Sequence, residues 1–437
     1  MDQSSHKYDV AIIGAGMGGL CSGALLANQG YRALVVEKLP FVGGRASSFK
    51  YRGYILPTGA LYVETGGYVE SVFKEVGATF GVRSFPMGIC FRMDGKDYPM
   101  PQKGGLRQLV STFAGEAEAA RLMAAIRRAF RWNEPSSSIS IRDWLLRYTS
   151  NDKVLAIFRG LSNYQCVNFR DEPAGEFMRQ LKLSIGASAG AHPQGFLELM
   201  KELVRVIEAK GGHVWTGCRA QRIMVQEEVV KGIVVEKDGD DLEVLAPVVI
   251  SDAGPHKTVE LAGPENFDNG YLKELREKVR PLAYIGLVIS SDRPLVDFEG
   301  VMVVPEGRRQ MTMMCTSLAY PEYAPPGKHM LQAWAAPDSS FLPLDPAREI
   351  DMVVQDLREA IPQFDREAEI VHVSYWQKDW PMYRALPGAL AQKTSVENLY
   401  NVGDGVAPLV PLGLPACAQS ARIVVEDIRQ RTKPAAA

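Results

Sequence analysis

The chain has no C-x-x-C pair, no two histidines at helical spacing and no marked excess of either charge. Its cysteines fall at positions 21, 90, 166, 218, 315 and 417, too scattered for the dense disulfide framework of small secreted domains. Reduced thiols in a cytoplasmic setting are the expectation. None of the six histidines has a partner three or four residues away, the spacing that sets two ligands on one helical face, so no metal centre is expected. Lys plus Arg number 49 against 51 Asp plus Glu, a formal charge of -2. Such a balance supplies no basic field for nucleic acid or an anionic surface. A small neutral or apolar substrate suits it better.

Long apolar runs are scarce as well. The opening from Tyr8 to Ala27 is the one stretch that imitates a signal peptide or anchor, and five glycines lie between Gly14 and Gly23. Glycines at that density are costly in a spanning helix, and the stretch reads better as strand, turn and helix. Elsewhere no run reaches the roughly 18 apolar residues of a membrane span. A soluble cytoplasmic protein is expected, with peripheral membrane contact left open. With 437 residues, 46% of them apolar, the chain is about three times a single-domain length and has material for more than one core.

Tyr8 to Ile13 forms a continuous apolar, β-branched run of the kind buried on both faces. Gly14-Ala15-Gly16-Met17-Gly18-Gly19 follows, then an apolar helical pattern stopped at Gly30. A second strand from Arg32 ends at Glu37, 23 residues after Gly14. Strand, G-x-G-x-x-G, helix, strand and acid together describe a dinucleotide cradle. Gly14 permits the tight turn, Gly16 admits a pyrophosphate, Gly19 lets helix pack on strand, and Glu37 accepts from the adenosine ribose. This pattern alone does not choose between NAD and FAD. Just beyond Lys38, Gly43-Gly44-Arg45 sets a flexible turn and a guanidinium suited to phosphate oxygens.

With that G-G-R segment, the sequence resembles the flavoprotein superfamily of amine oxidases, protoporphyrinogen oxidase and phytoene desaturases. The late strand running into Gly403-Asp404-Gly405 resembles its second cofactor motif. The GALY segment around Tyr62, the WPMYRA segment from Trp380 and the VGDG ending resemble most the phytoene desaturase-like branch. The resemblance implies FAD as cofactor and an α/β fold: a Rossmann-type FAD-binding domain with an interleaved α+β substrate-binding domain. Residues 1–84, 191–256 and 391–437 then form the FAD layer. Residues 85–190, read as helical, and 257–390 form the substrate layer.

By the same resemblance the cofactor contacts are Gly14, Gly16, Met17, Gly18, Gly19, Glu37, Lys38, Gly43, Gly44 and Arg45. Thr58, Gly59 and Ala60 run beneath the flavin, Ala220 meets the adenine, and Gly403, Asp404 and Leu412 complete the set. Pro408, Pro411 and Pro415 depart from the glycine-rich loop of relatives and supply no N–H donors. Tyr62, Tyr383 and Arg384 are the catalytic candidates. The implied reaction is hydride transfer from an apolar, isoprenoid or alicyclic substrate to flavin, a step that needs positioning more than a nucleophile. A quinone, O2 or another acceptor then takes the electrons. Two alternatives stay open: a flavin amine oxidase, and an FAD-binding partner subunit without catalysis.

Overall fold

Four four-residue strands are buried along their whole length, and one of them, Val10–Ile13, runs into a glycine-rich turn. In chain order the elements around that turn are Val10–Ile13 (β1), Met17–Asn28 (α1), Ala33–Val36 (β2), Phe196–Ala209 (α2), His213–Trp215 (β3), Val248–Ser251 (β4), Leu399–Asn401 (β5) and Leu414–Arg431 (α3). The computed structural model describes residues 6–85, 88–101, 103–131, 139–185, 188–337, 344–377, 382–385, 390–406 and 413–434, with backbone alone for 280, 281, 310 and 382–385. The five strands form one sheet in the order β3-β2-β1-β4-β5, and every pairing is parallel. A parallel sheet needs cover on both faces. Val10 and Ile12 of β1 face the core that holds α1, α2 and α3. Ala11 and Ile13, one residue out of phase, face the core of a second layer.

That second layer is a mostly antiparallel ribbon of His6–Lys7, Asp240–Leu245, Val229–Lys237 and Arg219–Gln226. On the other side, α1 is buried at eleven of its twelve residues and packs against both α2 and α3. The glycines make this approach possible. A Cβ at Gly19 would stand 2.0 Å from the Gly14 carbonyl oxygen, and one at Gly23 would stand 2.9 Å from Ile207 Cδ1. The fold of this part is therefore the Rossmann-like layer expected, with its strands drawn from five separate stretches.

The remaining chain builds a seven-stranded sheet in the order Glu369–Trp376, Tyr284–Ser291, His329–Ala336, Gln310–Cys315, Gly300–Val304, Gly88–Met93, Lys96–Met100. Residues 85–190 are thus not wholly helical: the hairpin Gly88–Met93 with Lys96–Met100 joins the sheet of the 257–390 segment. Its turn is Asp94-Gly95, both at positive φ, a dipeptide strongly favoured in two-residue hairpins. Helices Gly105–Ala114, Glu116–Ala129, Asp152–Tyr164 and Ala174–Ser184 supply the rest of that segment. Among the described residues no helix is long and apolar enough to cross a membrane.

The Gly19–Gly14 approach has a direct test. Gly19→Ala must push α1 off β1 or distort the turn, and overpacking of this kind costs about 1–3 kcal/mol. Chemical denaturation of the variant is expected to show that loss; an unchanged midpoint would mean that helix and strand are not held so close.

Candidate functional site

A cavity of about 840 Å3 opens where the ends of β1, β2, β4 and β5 meet the substrate layer. Its size falls within the usual range of cofactor and ligand sites. One half is walled by Gly14, Gly16, Met17, Glu37, Lys38 and Ala220; Gly43, Gly44 and Arg45 lie along its middle with Gly59, Ala60, Gly403 and Asp404. Tyr62 lines the far half. Most of the residues picked from sequence therefore meet on one surface.

The turns hold that surface through backbone hydrogen bonds. Gly43, in the left-handed region at φ 99°, donates its N–H to the Ala15 carbonyl at 2.7 Å, and Ala60 N–H donates to the Arg45 carbonyl at 3.0 Å. Thr58 lies behind the wall rather than on it. Its hydroxyl donates to the Gly44 carbonyl at 2.7 Å and accepts from Ser47 N–H at 2.9 Å, so it braces the G-G-R turn. Gly18 and Gly19 also stand off the wall, because their role is steric: they let α1 come close. Leu412 lies outside the described residues. Tyr383 and Arg384 sit on a strand, Met382–Ala385, that pairs with Val279–Leu282, and their side chains lie outside the described residues too.

Four ionisable side chains converge on the middle of the cavity. Arg45 and Asp404, 359 residues apart, form a two-pronged pair at 3.0 and 2.8 Å, the strongest geometry for this pair of groups. Burial works against the Arg45 charge, and the Asp404 carboxylate more than restores it, raising the guanidinium above its ordinary value. Glu37 accepts from Ala15 N–H and Leu39 N–H, both at 2.9 Å. Its burial raises the carboxyl, partly offset by those N–H groups. Asp252, directly after β4, accepts from Gly19 N–H at 3.0 Å. Sequence reasoning assigned 191–256 to the FAD layer but missed this side chain, whose one signal was an acid closing a buried strand.

These residues fit a dinucleotide. α1 has Gly16 as its N-cap, with no side-chain cap from that residue and no acid of its own in the first turn, so apart from Gly19 N–H, taken by Asp252, its first N–H groups are available to an anion. Among the described residues nothing lies within 4 Å of a Cβ built at Gly44, beside the guanidinium, or at Gly413, at the start of α3. Each Glu37 oxygen keeps a second lone pair for a ribose hydroxyl.

The other half is an aromatic chamber. Tyr62, Tyr164, Tyr284, Trp334 and Trp376 line it with Cys166. Trp376 stacks on Tyr284 with centroids 4.4 Å apart and planes at 27°, and its ring covers Gly59, where a Cβ would lie 1.7 Å from the indole. Burial, reinforced by the neighbouring Tyr164, raises the Tyr62 phenol well above the ordinary value. Burial pushes Tyr164 up to about 12 and raises Tyr284 also. All three phenols are protonated at neutral pH. Tyr284 went unrecognised in the sequence, where LAYIGLVIS reads only as a strand.

Residues 12–76 match the family of NAD(P)-binding Rossmann-like domains, and residues 289–429 match the flavin containing amine oxidoreductases. An uncharacterised protein of Methanocaldococcus jannaschii is 26% identical over 91% of this chain and 93% of its own. The 15-cis-phytoene desaturase of Capsicum annuum is 24% identical over 92% of this chain and 74% of its own. A solved oxidoreductase from Methanosarcina mazei superposes with a TM-score of 0.81 at 25% identity, over 96% of this chain and 100% of that one. With a dinucleotide cradle at one end of its cavity and an aromatic chamber at the other, the chain is similar to the flavin-containing amine oxidoreductases, with phytoene desaturases among its relatives.

Proposed function

We propose that the protein is an FAD-dependent dehydrogenase or desaturase that takes hydride from a carbon of an uncharged, mostly apolar substrate, isoprenoid or alicyclic in character. The observation that carries this reading is the continuity of the cavity. Its cationic lining residues, Lys38, Arg45, Arg219, His256 and Lys257, come from the segments that build the cradle, whereas Tyr62, Tyr164, Tyr284, Trp334 and Trp376 wall the chamber. An apolar molecule gains from burial against such rings, and a carboxylate or phosphate would find no described Lys, Arg or His among them. The Capsicum annuum relative, named for phytoene desaturation, supports the same class.

FAD, when bound, supplies a hydride acceptor. The chain's own part is to exclude water and to place the reacting C–H, the two contributions a static aromatic chamber makes best. Its phenols are too hard to ionise to act as bases at neutral pH, so they serve as hydrogen-bond donors. The Tyr62 and Tyr164 hydroxyls, both on the cavity lining, are then available to orient an oxygen on the substrate. A second reading, a flavin amine oxidase, is favoured by Glu64, a half-buried carboxylate lining the cavity that would draw a cationic amine toward the site.

Anaerobic titration separates the two. The FAD-loaded protein is expected to lose its visible flavin absorbance with terpenoid or cyclic compounds and to keep it with amines. Bleaching by amines alone, with hydrogen peroxide released in air, would replace the first reading by the second. Tyr62→Phe removes a hydroxyl from the chamber wall, and with it a hydrogen bond to a substrate oxygen of about 0.5–1.5 kcal/mol. With an oxygen-bearing substrate KM should rise about twofold to tenfold, while a pure hydrocarbon should show little change. Arg45→Met leaves Asp404 buried without its cation, a loss of up to about 3 kcal/mol for a pair buried on one side only. FAD retention on gel filtration is expected to fall sharply in this variant, and retention equal to the parent would remove Arg45 from the cofactor site.

A further inference from the structure

Asp252 stands in the space that the G-x-G-x-x-G turn opens. Its backbone N–H donates to the Ile13 carbonyl at 2.7 Å, which ties the end of β4 to the end of β1 just before the chain turns at Gly14. The side chain then reaches over the first turn of α1. Oδ2 accepts from Gly19 N–H at 3.0 Å. A Cβ at Gly16 would lie 2.4 Å from Oδ2, and one at Gly18 would lie 2.7 Å from Oδ1. Gly16, read as clearance for a pyrophosphate, and Gly18 beside it are thus also clearance for a carboxyl group of the chain itself.

The groups around it make a charged form costly. Glu37 approaches from the end of β2 and Asp404 from the segment after β5, both unfavourable to a second anion. Arg45 is the cation that acts on it, and two of the five guanidinium donors are engaged by Asp404. The thiols of Cys21 on α1 and Cys417 on α3 also lie within electrostatic reach, and burial keeps both protonated. Burial first, then the two neighbouring acids, push the Asp252 carboxyl up to about 8, against the opposing pull of Gly19 N–H and Arg45. A pyrophosphate at the α1 N-terminus adds further negative charge beside it.

We propose that Asp252 is a cofactor-binding residue that works as a neutral acid: when the dinucleotide binds, one proton from solvent is held on its carboxyl group, whose O–H donates to a pyrophosphate oxygen. The idea rests on the FAD reading above. Its sign follows from linkage. Below about pH 7 the group is already protonated in the free protein, so affinity is flat. Above about pH 8 the free protein has lost the proton and binding must recover it, so affinity falls toward tenfold per pH unit.

Titration of FAD into the apoprotein, followed by quenching of flavin fluorescence from pH 6.5 to 9, is expected to show that loss. Calorimetry at pH 9 in two buffers of different ionisation enthalpy should count close to one proton taken up. Asp252→Asn, a neutral mimic that still donates, should give an affinity independent of pH and about tenfold tighter than the parent at pH 9. If that variant does not fold, the proton count on the unaltered protein decides alone. ADP-ribose, which carries the pyrophosphate without the flavin, should give the same count; uptake seen with FAD but not with ADP-ribose would overturn the assignment to Asp252. So would flat affinity with no proton uptake. Failure to bind FAD at any pH would instead sink the cofactor reading.

Discussion

Burying Glu37, Asp252 and Asp404 around the single guanidinium of Arg45 carries a desolvation cost that only close pairing and backbone donors offset. The architecture supplies those partners from four directions. β1 and α1 present Ala15 and Gly19 N–H groups, the G-G-R turn brings the cation, and the ends of β4 and β5 bring two of the acids. None of these groups is near another in sequence apart from the first turn and its glycines. What holds the site together is therefore the parallel sheet, whose strand ends all open on one side. A ligand at that edge meets the termini of several elements at once, as expected where parallel strands end.

The first 45 residues were the most legible part of the chain. A strand buried on both faces writes itself as an unbroken apolar run, and the tight turn after it requires glycine at Gly14 whatever surrounds it. Both signals are local. The Arg45–Asp404 pair was harder, because each residue was legible as a cofactor contact while nothing showed that they contact each other. Asp252 was not legible at all: its partner Gly19 lies 233 residues away, and an acid after a strand is ordinary in isolation. The hairpin at 88–100 carried a usable Asp-Gly signal that the flanking helical patterns overshadowed. Thr58 shows the converse case, a residue assigned to the cofactor contacts whose hydroxyl turns inward to brace the G-G-R turn.

The two halves of the cavity answer to different physics. In the cradle, hydrogen-bond donors and charges are fixed by backbone position, so side-chain changes there disturb geometry before chemistry. In the chamber the walls are large rings that touch one another, such as Trp376 lying over Gly59 and against Tyr284. Shape there depends on volume alone, and a smaller or larger ring would resize the space without altering the cradle. The fold thus allows substrate preference to drift while the cofactor site stays constant.

One feature of the sheet bears on how the protein comes into being. β1 and β2 are made early, β4 only around residue 250, and β5 at Leu399–Asn401, yet β4 must sit between β1 and β5. During synthesis the nascent chain therefore carries an unfinished sheet with one open edge while most of the substrate layer emerges, an exposure that favours chaperone engagement. The cradle's last acid, Asp404, arrives after that edge is closed. A chain that stops short of residue 404 has the glycine turn in place and no Asp404 to pair with Arg45.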